Sequence, residues 1–164
     1  MKSKVYFTKE INGKALMKLY EALNFDLKGN VCIKVHSGEP GNQNFLKPDF
    51  WKELINKVNG TVVECNTAYE GRRYKSADHL ETLKEHGWSE YFNVDLLDAE
   101  GPDLVLDVKD GKVITKNYVG KNLKKYDSML VLSHFKGHPM GGYGGSLKQL
   151  SIGVASSYGK AYIH

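Results

Sequence analysis

A chain of 164 residues that is 41% hydrophobic and 26% charged has the length and composition of one globular domain with a sizeable core, not of a disordered or fibrous polymer. A formal charge of +4, without a lysine-rich block or an interleaved aromatic platform, argues against nucleic acid as a partner and leaves small anions in play. No window approaches the roughly 18 consecutive apolar residues that span a bilayer, and the opening MKSKVYFTKE has no long apolar segment behind its charges, so a cytoplasmic protein that does not engage the membrane is expected.

Apolar periodicity predicts alternating strands and helices. KVYFT (Lys4 to Thr8) reads as a strand, and Ile11, Ala15, Leu16, Leu19 and Leu23 follow at helical spacing. VCIKVH (Val31 to His36) alternates with a two-residue period, placing Val31, Ile33 and Val35 on one face and Cys32, Lys34 and His36 on the other. Pro48 suits a helix start, Trp51, Leu54, Ile55 and Val58 form its stripe, and Asn59-Gly60 ends it. TVVEC (Thr61 to Cys65) is the next strand, and Ser76 is the expected cap of a helix through Leu80, Leu83 and His86 that closes at Gly87. After YFNVDLL the pattern changes, and LVLDV and KVITK flank Asp110-Gly111 as the arms of a β-hairpin near residues 103–117. SMLVLSH (Ser128 to His134) is apolar enough for a central strand covered on both faces. A helix is expected within SLKQLSIGVASS. The fold class is α/β: a three-layer sandwich with a mainly parallel, mixed sheet and the hairpin as an excursion.

In open sheets of this kind ligands gather at the carboxyl ends of the strands. The polar, glycine-bearing loops HSGEPGNQNFLK, NTAYEGRRYK and SHFKGHPMGGYGGSLK leave those ends and are longer than a connection needs. His134 and His138 have the H-x-x-x-H spacing of helical zinc sites, but Gly137 and Pro139 oppose a helix and Phe135 stands where a catalytic glutamate would. On a loop they either share a transition metal, zinc or nickel, with a further ligand, or are simply structural. GGYGG matches no nucleotide-binding fingerprint. Its amides, with Gly144 and Gly145 next to the expected helix and Lys148 one turn in, either hold an anion or pack closely. Arg72 and Arg73 are a clamp for a carboxylate or phosphate, or a solvated pair. Lys34 and His36 are pocket candidates or one half-exposed strand face, and Glu39 and Asp78 form no acid/base couple. Cys32 and Cys65 lie in strand-like runs, which suits buried thiols; two thiols are too few for an iron-sulfur cluster within this chain.

IKVHSGEPGNQNFLKP, CNTAYEGRRYKSADHLETLKEHG and VLSHFKGHPMGGYGGSLKQLSIGVAS, in this order, resemble the domain-of-unknown-function family 362 of bacteria and archaea. The resemblance covers essentially the whole chain. It implies that residues 1–164 are one α/β domain, the N-terminal portion of a longer member, and that any 4Fe-4S module belongs to the longer parent. A more distant likeness is to the nickel-pincer lactate racemase family. There a histidine, a glycine-rich turn and a cofactor-holding lysine are followed by a metal-binding histidine. His138 and Lys148 stand ten apart (148 − 138) and His164 sixteen farther on (164 − 148), as in that family, but no counterpart of its early Asp-x-Thr-Arg segment is found. Taken together, the expected activity is binding of a small anion or metal ion by Lys34, His36, Arg72, Gly144, Gly145 and Lys148, with His134, His138 and His164 as metal candidates, in an iron-sulfur-associated protein of which this domain is either a binding module or the core of a redox-linked enzyme. The alternatives are a docking scaffold for a redox partner protein and pincer-type isomerase chemistry.

Overall fold

The computed structural model describes residues 3–164. The first helix, α1 (Gly13–Leu23), starts behind Asn12, whose side chain accepts from the Ala15 amide at 2.8 Å, and stops at Asn24 in the left-handed region. Strand β1 (Val31–Lys34) leads to α2 (Pro48–Val58), which begins on its proline and closes at left-handed Asn59. Strand β2 (Thr61–Glu64) is followed by α3 (Ser76–Glu85) and, past Gly87 at φ 83°, the short α4 (Trp88–Tyr91). Ser76 is the first residue of α3 and not its cap; its hydroxyl instead accepts from the Asn66 side chain at 2.9 Å.

Next come β3 (Val94–Leu96), the antiparallel pair β4 (Leu104–Asp107) and β5 (Lys116–Val119), a 3-10 turn at Lys121–Lys125, and β6 (Ser128–Val131). A second hairpin, β7 (Lys136–His138) with β8 (Gly142–Gly144), then α5 (Ser146–Leu150) and α6 (Ser157–Ile163), end the described chain. The main sheet has four parallel strands in the order β3-β2-β1-β6, with Ile33 beside Val62 and Leu130. Both antiparallel pairs are separate two-stranded sheets, so the expected mixed sheet is a purely parallel one with two hairpins attached.

Alternation along β1 sorts the core in two, as the sequence predicts. Val31, Ile33 and Val35 pack with Trp51, Leu54, Leu83 and Trp88 beneath the helices α1 to α4. Cys32 packs on the other face with Val63, Cys65, Leu97 and, from the 3-10 turn and the residues after it, Leu123 and Tyr126. Helices on one face and irregular helical structure on the other give the three layers.

Four expectations are corrected. Residues 4–8 form no strand: Val5 and Phe7 are largely exposed, because alternation makes a strand only where a neighbour supplies its ladder. Ser128–His134 is a strand only through Val131 and lies at the sheet edge, not its centre; it is apolar because Leu130 leans on the first core and Met129 on the second. The hairpin arms are β4 and Lys116–Val119, so KVITK is mostly loop. Asp110 does turn the chain, at φ 57°, but the Val108 amide bonds Thr115 O at 2.8 Å and closes a wider loop than a two-residue turn. Finally, the helix expected in SLKQLSIGVASS is only Ser146–Leu150, and the glycine run before it is spent in β8.

Glycine is required where α6 crosses β5. A Cβ on Gly159 would stand 2.0 Å from Tyr118 O, and the neighbouring Ser156 hydroxyl caps the helix by accepting from the Gly159 amide at 2.9 Å. Since backbone cannot yield as a side chain does, Gly159→Ala should lower the unfolding free energy by about 2 kcal/mol or more, measured by denaturant titration.

Candidate functional site

The site grows from the last residues of the two central strands. Glu64 ends β2 and points its carboxylate into the protein, where a lone charge would be costly. It is met by Lys34 Nζ at 2.6 Å from the end of β1, by the Ser37 amide at 2.9 Å and hydroxyl at 3.0 Å, and by Arg73 Nη2 at 3.2 Å. Arg73 extends the network: its Nη1 donates to Glu39 at 2.6 Å and its Nε to His79 Nε2 at 3.1 Å. The acceptor role of that nitrogen puts the His79 proton on Nδ1, which donates to Asn66 Oδ1 at 3.0 Å. Burial, the largest single effect, would raise the Glu64 carboxyl; Lys34 and Arg73 together outweigh it and hold the group well below the usual carboxylate range. Burial, with Arg73 and Lys34 nearby, lowers both His36 and His79 to about 4, against the pull of Glu64.

The opposite wall comes from the β7–β8 hairpin and α5. His138, at the end of β7, receives the amides of Met140 at 3.3 Å and Gly141 at 3.0 Å on Nδ1, and its Nε2 is hydrogen-bonded to Lys148 Nζ. Burial and Lys136 lower the Lys148 ammonium from its ordinary range; burial, Lys148 and Lys136 lower the His138 imidazole. Two buried atoms of residues that border this space, His134 Nδ1 and Gln149 Oε1, have no hydrogen-bond partner among the described residues.

Between the walls lies a cavity of about 370 Å³. Lys34, His36, His134, His138, Gly144, Gly145, Lys148 and His164 all border it, so the structure gathers eight of the residues singled out from the sequence at one place. Arg72 does not reach it. Its guanidinium makes a two-point contact with Glu85 on the surface, at 2.8 and 2.7 Å, because adjacent loop residues face opposite ways and Arg73 takes the inward place. Lys34 is engaged by Glu64, and Gly144 pairs with Lys136 in the hairpin, so neither presents the free group expected of it. A five-residue α5 likewise offers no long-helix terminus for an anion. The expected zinc or nickel site at His134, His138 and His164 is not assembled: among the described residues no three His, Cys, Asp or Glu side chains are grouped to hold an ion, and His138 Nε2 is occupied by Lys148.

Sequence reasoning missed Glu64, Lys136 and Lys160, all of which border the cavity. The available signal for Glu64 was a single carboxylate at the end of an otherwise apolar strand, which must find a cation once buried. Cys32 and Cys65 are free and buried as expected, and burial pushes their thiols up to about 11 and about 12. No helix of the described residues is long and apolar enough to cross a membrane.

These features define the class of the chain: an α/β domain with a four-stranded parallel sheet and a polar, cation-bearing cavity at the carboxyl edge of that sheet. Within that class, residues 31–164 match the family described as Domain of unknown function (DUF362), and the chain belongs to it. No curated protein and no solved structure matches the chain.

Two outcomes follow from the network. In the folded protein His36 and His79 stay neutral down to about pH 4, whereas in the unfolded chain they protonate near 6.5. The unfolded state therefore binds more protons as pH falls, and stability on the order of 3 kcal/mol per histidine, complete above 6.5, is lost between 6.5 and about 4. Denaturation midpoints measured across that window should fall, and His79→Gln, which keeps one acceptor and one donor, should flatten the slope. Glu64→Gln leaves Lys34 and Arg73 buried without their shared partner and should cost about 3–5 kcal/mol by the same denaturation measurement at pH 7.

Proposed function

We propose that the cavity binds a small organic anion, a carboxylate or phosphate ester, with the His138–Lys148 couple facing it. The observation that supports this most directly is an uncompensated charge in a concave space. Glu64 and Glu39 are matched by Lys34 and Arg73, while Lys136 and Lys148 form no ion pair among the described residues. Convergence of polar groups on a hollow favours ligand binding over the flat edge that docking to a redox partner would use. In a longer parent an iron-sulfur module would deliver electrons to a ligand held here, which would make this cavity the core of a redox-linked enzyme. Pincer-type isomerisation would use the same lysine, but no counterpart of the family's early substrate segment supports it.

Thermal unfolding in phosphate, acetate or succinate at constant ionic strength tests the binding. An anion at about ten times its Kd should stabilise the fold by about 1.4 kcal/mol and raise Tm by about 3–6 °C. Lys136→Glu, a change at an exposed position, should abolish the shift without lowering the basal Tm. Absence of a shift with every anion up to about 10 mM, an order of magnitude above the upper end of ordinary substrate affinities at about 1 mM, would remove the proposal.

A further inference from the structure

The hydrogen bonds around His138 fix more than its orientation. Its Nδ1 accepts two backbone N–H groups, from Met140 and Gly141, so that nitrogen carries no proton. A neutral ring then has its proton on Nε2, the atom bonded to Lys148 Nζ. A ring N–H needs a lone pair to receive it. An ammonium has none, since all of its positions are donors, whereas an unprotonated amine has one. The bond is therefore Nε2–H donating to a neutral Lys148 amine.

The surroundings are consistent with that state. Lys148 is half-buried, and among the described residues no carboxylate pairs with it to favour the ammonium. Titratable residues that border the cavities beside the couple include Lys136 from the same strand as His138, His134 from the segment before it, Tyr143 from β8, His164 from the end of α6 and Tyr69 from the loop after β2. Of these Lys136 and burial both disfavour a second positive charge on Nζ. The couple also stands between the inner cavity and an outer one bordered by Tyr69, Met140, Tyr143 and Leu147, so the amine is open to small molecules.

We propose that Lys148 is a free-amine nucleophile that forms an imine with the carbonyl carbon of a small anionic aldehyde or 2-oxo acid, the carboxylate of which is drawn by Lys136. The inference rests on the anion-binding reading for its substrate class but not for its chemistry. In the step the Nζ lone pair forms the N–C bond, and the carbonyl oxygen leaves as water with the two amine hydrogens. A C=N bond remains; nothing is oxidised or reduced. His138 acts before the step, as a positioning residue that holds the amine unprotonated.

Incubation of the whole chain with glyoxylate or with uncharged propionaldehyde, each with cyanoborohydride to trap the imine, followed by peptide mass spectrometry, tests this. At pH 7 glyoxylate should label an unprotonated Lys148 on the order of a hundredfold or more faster than exposed lysines, because each unit by which an amine's pKa falls raises its unprotonated fraction about tenfold. Labelling should saturate with glyoxylate and vanish in Lys148→Arg. In His138→Leu, shown to be folded by circular dichroism, the pH at which labelling becomes half-maximal should move upward, which a merely structural histidine would not cause. Preferential labelling by propionaldehyde without any advantage for glyoxylate would keep the amine chemistry and overturn the anionic substrate class. Lys148 labelled no faster than exposed lysines by either aldehyde would overturn the imine inference, even if anions still raise Tm.

Discussion

A carboxylate buried at the end of a strand is the constraint around which this protein is organised. Glu64 cannot be left alone in a low-dielectric interior, and each group that satisfies it comes from a different part of the chain: Lys34 from the neighbouring strand, Ser37 from the loop beyond it, Arg73 from the loop after β2. Meeting that demand ties the two central strand ends together. It also sets the Arg73 guanidinium in a fixed plane, from which Glu39 and His79 take their places in turn. One wall of the cavity is thus a polar network with its hydrogen bonds largely answered internally.

The other wall is built on different terms. The β7–β8 hairpin is short, rich in glycine and partly exposed, and its key contact is between two bases, not between opposite charges. Neutral nitrogen meets neutral nitrogen where Lys136 adds positive potential and, among the described residues, no carboxylate pairs with Lys148. The rigid wall holds its charges in balance; the hairpin wall leaves a surplus, and chemistry follows from that asymmetry.

Much of this was legible in the sequence because it depends on local pattern. Trp51, Leu54 and Ile55 at helical spacing, Asn59 as a left-handed stop, and the two faces of Val31–Val35 are consequences of periods and backbone preferences that a few residues suffice to express. The grouping of loops at the carboxyl ends follows from parallel topology, which brings Lys34, His36, His134, His138 and Lys148 to the border of one cavity, with His164 joining them from the end of α6. What escaped depends on partners distant in the chain. KVYFT alternates like a strand but has no neighbour to pair with, and Ser128–Val131 looks central though it lies at an edge. Arg72 and Arg73 are equivalent in sequence; only the positions of Glu85 and Glu64 tell them apart. His138, whose spacing from His134 suggests a metal pair, is instead held by two backbone amides and a lysine.

The separation of the β7–β8 ribbon from the four-stranded sheet has a mechanical consequence. Swinging the ribbon outward would sever the link from His138 to Lys148 and the contact between the Ser133 and Ser146 hydroxyls, at 3.1 Å, yet would break no ladder of the main sheet. Such a movement draws on local opening free energy and not on that of global unfolding. The reactive couple can therefore be taken apart and remade while the Glu64 scaffold stays intact, like a latch mounted on a frame that does not itself bend.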